Sequence, residues 1–160
     1  MAVKLEIALK EDLFDAEGAG LCRKILDYFG WKVGTARVVH ILTLDTALSR
    51  EELEAVRKEI FTNPVTQCSG FHSLAGEFDW AIWVGYRPGV RDTAGSVAME
   101  AMADYLGRSF EPWEAAYTSK LYLLGNASLD QSRVEVIARE LLANEIIQQW
   151  RVYSRESRDR

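Results

Sequence analysis

Two histidines, two cysteines and a scatter of carboxylates are the groups in this 160-residue chain that could do chemistry. A general acid or base working near neutral pH is most often a histidine. His40 falls in a stretch that reads as a strand, where a packing or hydrogen-bonding role is expected. It is the histidine with some expected burial, and so the candidate if the chain were a small enzyme. His72 lies in a predicted loop, exposed and far away in sequence. Cys22 sits on the apolar face of a predicted helix, where a small buried hydrophobe is the usual occupant. Cys68 follows Gln67 at a joint. A metal ion would need about four well-placed ligands, and no such cluster is spaced along the sequence. No G-x-x-x-x-G-K-[ST] run is present to cradle nucleotide phosphates. Gly18-Ala19-Gly20 and the segment from Gly85 to Gly89 are too short and wrongly placed for a dinucleotide fingerprint. No catalytic, cofactor-binding or metal constellation emerges.

The elements that carry these residues come in two copies. Residues 10 to 30 align with residues 87 to 107 at an offset of 77. Asp15 falls on Asp92, Gly18 on Gly95, and Asp27-Tyr28-Phe29-Gly30 on Asp104-Tyr105-Leu106-Gly107. Farther on, Ile60 to Gln67 aligns with Leu141 to Gln148 at an offset of 81. The chain reads as a tandem duplication, with a first unit over 1–67, a joint at 68–79, a second unit over 80–153 and a charged tail over 154–160.

Each unit shows the order β-α-β-α-β. Val3, Leu5, Ile7 and Leu9 alternate as in a half-buried strand. Cys22, Ile25, Leu26 and Phe29 recur at helical spacing, with Gly30 placed to cap the C-terminus. Residues 36–44 are rich in β-branched residues and read as a strand. Ser49 and Glu52 form a capping box for a helix lined by Leu53, Val56 and Ile60. In the second copy the strands are expected at 80–84, 119–124 and 146–153. The helices are expected at 92–106, with Met99, Met102 and Leu106 on one stripe, and at 130–142, with Val134, Ile137, Leu141 and Leu142 inward. Residues 108–117 read as an irregular insert. The expected fold is α+β: mainly antiparallel sheets, helices packed on one face, and a pseudo-twofold between the copies.

The net charge of −5 and the lack of a basic run argue against a nucleic-acid surface. Two cysteines make no disulfide framework, so a reducing cytoplasm is the expected setting. The opening MAVKLEIALKEDLF alternates and carries charge, unlike a signal or transit peptide. No apolar run is long enough for a membrane-spanning helix.

The repeated module resembles the small PurS subunit of phosphoribosylformylglycinamidine synthase. The likeness rests on Leu9-Lys10, Leu13, Asp15 and Gly18 leading into the helix to Gly30. The second copy carries Pro88-Gly89-Val90, Asp92 and Gly95. Leu141-Leu142-Ala143-Asn144 running into the last strand matches the family's closing segment, with Phe61-Thr62-Asn63-Pro64-Val65 as a looser version. Lys120 and His40 stand where the family has a basic residue in its middle strand. The resemblance covers residues 3–67 and 80–153. It implies a non-catalytic element of purine biosynthesis that helps hold a PurL-type, ATP-using synthetase and a PurQ-type glutaminase together while ammonia passes between them. ATP and Mg would belong to the synthetase, with no cofactor in this chain. The resemblance fits either the N-terminal domain of a long single-chain enzyme or a free, fused double subunit.

Several residues are singled out as structural or interface candidates. Asp15 and Asp92 precede helices, where a carboxylate accepts bonds from free backbone N–H groups. Gly18 and Gly95 permit close packing there. Asn63 and Asn144 stand at helix ends, as caps or partner contacts. Glu11-Asp12 and Pro88-Gly89 occupy the same loop in each copy, and paired loops on a rigid scaffold suit docking. Arg37, Arg87 and Lys120 could meet carboxylates of a partner or a substrate phosphate. The tryptophans suit an interface or a core. The rival readings are a small-ligand regulatory domain, an unrelated small enzyme built on His40, and a plain dimerisation scaffold that forms a homo-oligomer.

Overall fold

Alternating apolar residues in Ala2–Leu9 (β1) and a longer run in Val33–Asp45 (β2) begin a six-stranded sheet. The computed structural model describes residues 2–158. The remaining elements are α1 (Ala16–Phe29), α2 (Arg50–Val56), β3 (Gln67–Gly70), β4 (Trp80–Tyr86), α3 (Thr93–Leu106), β5 (Ala115–Ala127), α4 (Gln131–Ile137), β6 (Gln148–Ser154) and α5 (Arg155–Arg158). Short π-helical turns, Arg57–Phe61 and Ala138–Leu142, continue α2 and α4. The strand order is β3-β1-β2-β5-β4-β6. The β1–β2, β1–β3 and β4–β6 pairs are antiparallel. The fold is thus α+β, with helices packed against an antiparallel sheet. Among the described residues no helix is long and apolar enough to cross a membrane.

The chain forms two compact units, and each is discontinuous in sequence. The first, here the Leu5 unit, takes the chain up to Leu13, His40–Leu74 and Arg91–Ser119. Its core packs Leu5 of β1, Leu42 and Leu44 of β2 and Ala116 of β5 against Val56 of α2 and Ala98 and Met102 of α3. Burying a side chain such as Leu5, Leu44 or Met102 is worth about 1.5–3 kcal/mol. The second, the Ile82 unit, takes Phe14–Val39, Ala75–Val90 and the chain from Lys120 onward. There Ile82 and Val84 of β4 and Leu124 of β5 pack against Leu21 and Ile25 of α1 and Val134 and Ile137 of α4. The expected boundaries near 67 and 80 divide the sequence repeats, whereas each compact unit draws on both.

Three expectations change. The stretch 108–117 is not irregular throughout, because β5 begins at Ala115. The joint 68–79 starts inside a strand, since β3 runs to Gly70 and pairs with β1. Residues 155–158 of the charged tail form a helical turn; the last two positions of that tail lie outside the described residues.

Candidate functional site

The helix starts carry matching Asp–Gly pairs. Asp15 caps α1: its Oδ1 accepts from Gly18 N at 2.8 Å and its Oδ2 from Val38 N at 2.9 Å. Asp92 caps α3: Oδ1 accepts from Gly95 N at 2.9 Å and Oδ2 from Thr118 N at 2.6 Å, while the Thr118 hydroxyl donates to the same carboxylate at 2.9 Å. Each carboxylate therefore ties a helix start to a strand. Gly18 and Gly95 are needed for this approach, because a Cβ at either would run into a backbone carbonyl, that of Ala36 or Ala116. These four residues hold the fold, and their acceptor sites are used.

Lys120 reaches Glu17 at 2.7 Å. Burial pushes the Lys120 ammonium down, but the Glu17 bond and the nearby Tyr122 and Tyr86 phenols push it up, and the net shift is upward. Lys120 is a firmly charged structural cation, the opposite of a lysine tuned for nucleophilic work. His40, expected to have some burial, is exposed on β2 across from Ile7. The Cys22 thiol is half-buried, and burial raises its pKa, away from the activated thiolate. Among the described residues no group of three or more His, Cys, Asp or Glu could hold a metal ion. Of the five tryptophans, Trp113 is exposed and the other four are half-buried. Trp80 donates to the Leu129 carbonyl, and Trp31 stacks on Phe29.

What remains exposed and well built are two loops at strand ends. In the Leu5 unit, Lys10 N donates to Thr66 O at 3.0 Å, and Lys10 Nζ to Pro64 O at 2.8 Å. Asn63 Oδ1 accepts from Val65 N at 2.9 Å, and Asn63 N donates to Gln67 Oε1 at 2.8 Å. In the Ile82 unit, Arg87 N donates to Ile147 O at 2.9 Å, and Arg87 Nε to Glu145 O at 2.7 Å. Asn144 Oδ1 accepts from Ile146 N at 3.1 Å, and Asn144 N donates to Gln148 Oε1 at 2.9 Å. Leu9 faces Gln67 in one ladder and Tyr86 faces Gln148 in the other. Each loop thus has a cation clamping a carbonyl, an Asn-centred turn, and an aliphatic side chain held in water at the tip. Val65 is 76% exposed and Ile146 85%.

This geometry holds Arg87, which Pro88 follows in sequence, against the turn centred on Asn144, and it puts Asn63 in the matching turn of the other unit. It also corrects the role expected of the asparagines. They are not left-handed helix caps, since the described non-glycine residue with positive φ is Asn126. Their side chains close turns beyond the π-helical ends. Sequence reasoning missed Val65, Ile146 and Lys10 as members of the loops, although the offsets of 77 and 81 already paired Lys10 with Arg87 and Val65 with Ile146. It also missed Glu114. This carboxylate is buried, accepts from Ala47 N and Glu111 N at 3.0 Å each, and lies 3.8 Å from Arg108. No known family model matches the chain, and no curated protein matches it.

Proposed function

We propose that this chain is a PurS-like bridging element of phosphoribosylformylglycinamidine synthase. Its two β-α-β-α-β copies would be related by a pseudo-twofold and do no catalysis themselves. A PurL-type synthetase would bring ATP and Mg, and a PurQ-type glutaminase would release ammonia from glutamine. The bridging element braces the two so that ammonia crosses without loss to water. The partners are separate subunits or domains of the same long chain. This reading places the protein in the cytoplasm, as part of purine biosynthesis.

The observation that carries the proposal is the pair of strand-end loops, built from the same set of bonds and each ending in an exposed aliphatic residue, Val65 or Ile146. Exposed aliphatic tips on pre-ordered turns suit docking, because little conformational entropy is lost on binding. Two such loops would give one chain two contacts, and joining them makes the second contact intramolecular. The test is reconstitution with the synthetase and glutaminase, with glutamine-dependent ATP turnover measured in the co-eluting fractions. Turnover that needs this chain supports the bridging role; turnover indifferent to it removes the role.

A further inference from the structure

We propose that β6 is an intermolecular docking strand whose partner is β6 of a second copy of this chain, paired antiparallel about Val152. β6 ends the strand order and, among the described residues, pairs with β4 alone. In an antiparallel ladder, alternate residues turn their N–H and C=O toward a neighbour. The phase is fixed at both ends of β6. Arg87 N donates to Ile147 O at 2.9 Å, and Arg155 N donates to Asp79 O at 3.0 Å. Odd-numbered residues of β6 therefore face β4, and the N–H and C=O of Trp150 and Val152 point outward.

The two sheet edges differ. β3 has only 4 residues, and a very short edge strand is one way proteins blunt an edge. β6 has 7 residues, no proline and one charged side chain, Arg151. Without such guards, an outward row of backbone donors and acceptors accepts another strand.

The side chains favour β6 itself as that strand. A twofold pairing centred on Val152 sets Val152 opposite its own copy, in a pair that exchanges both backbone bonds. It also sets Arg151 opposite the second copy's Tyr153, twice. Arg151 and Tyr153 are both exposed and share one face of β6, so each pair brings a guanidinium to a phenol ring. Arg151 already lies 5.9 Å above the Trp83 ring on that face. Centring on Arg151 instead would oppose two guanidinium groups, which is unfavourable.

The test uses the chain alone and is independent of the bridging role, so either can fail without the other. Sedimentation velocity is run over a concentration series on the wild type and on Val152→Pro. Proline is tolerated on an edge strand where its missing N–H would face outward, so the β4 ladder and the far-UV circular dichroism should be kept. The wild type should rise from one chain to two with concentration, and Val152→Pro should stay at one. A wild type that remains single, or a variant that pairs equally well, overturns the proposal. The register is read separately, in a Cys22→Ser, Cys68→Ser background. An equimolar mixture of Arg151→Cys and Tyr153→Cys is oxidised. The hetero-disulfide should dominate, because directly opposed, non-hydrogen-bonded residues have Cα atoms about 4.5 Å apart, within disulfide range. A statistical mixture of cross-links, or none, contradicts pairing about Val152.

Discussion

Two glycines in the same helix should respond to alanine in opposite directions. Gly18 and Gly20 both lie in α1. At Gly20 an added Cβ meets nothing within 4 Å. Gly20→Ala should therefore stabilise by about 0.5–1 kcal/mol, through better helix propensity and a less flexible unfolded chain. At Gly18 the added Cβ runs into the Ala36 carbonyl, where backbone has to move. A shift on the order of 1 Å would relieve the clash, but it would stretch the 2.9 Å bond from Val38 N to Asp15 past any useful hydrogen-bond length. A hydrogen bond to a charged group is worth about 1.5–3 kcal/mol, and overpacking costs about 1–3 kcal/mol. Against a propensity gain of about 1 kcal/mol, Gly18→Ala should be destabilised by roughly 1.5–5 kcal/mol. For a chain of this size that lowers Tm by about 3–20 °C, while Gly20→Ala raises it by about 1–4 °C. Thermal and urea unfolding of both variants, followed by circular dichroism, provides the comparison. A Gly18→Ala protein as stable as the wild type would refute the helix-to-strand tie drawn through Asp15.

The docking loops are tested by Val65→Asp with Ile146→Asp. Both side chains are exposed, so stability should change by less than about 0.5 kcal/mol. Affinity for the synthetase or glutaminase should fall about tenfold or more by titration calorimetry, and unchanged affinity moves the docking surface elsewhere. Backbone bonds from Ala47 and then Glu111, joined by the Arg108 charge and opposed by burial, hold the Glu114 carboxyl below the usual carboxylate range. A lowered folded pKa stabilises above the unfolded value, about 4.3, and that contribution is lost as pH falls through the folded value. Glu114→Gln should therefore be less stable at pH 7 and show a shallower loss of stability below about pH 4.5. An acid unfolding curve identical to wild type would show that Glu114 does not hold the 108–114 segment.

Much of the local structure was legible because single residues specify it. Asp15 and Asp92 cap helices that end at Gly30 and Gly107, both with positive φ, as their types and spacing indicate. The capping box of Ser49 and Glu52 is formed. Features set by distant partners were not legible. Gln67–Gly70 lacks the alternation of a strand and becomes one by pairing with β1. The start of β5, ahead of the expected Ser119, was hidden because Tyr117 and Thr118 break the apolar pattern, while Thr118 serves the Asp92 cap. Periodicity found Ile25, Cys22 and Phe29 on the packed side of α1, but it put the exposed Leu26 with them and missed the buried Leu21; nor did it give the destination, since α1 packs with β4 and α4 from the other repeat. The loop residue Ile146 looked like an ordinary strand opener, and Val65 carried no signal of exposure. Only the turns closed by Asn63 and Asn144 leave them exposed.

The most direct measurement of the central claim is co-elution of this chain with the synthetase and the glutaminase, with glutamine-dependent ATP turnover assayed across the same fractions. The bridging account predicts a ternary complex, and turnover that falls when the chain is left out or carries the Val65→Asp and Ile146→Asp changes. Synthetase and glutaminase that couple fully without the chain, or a chain that elutes apart from both, would contradict it.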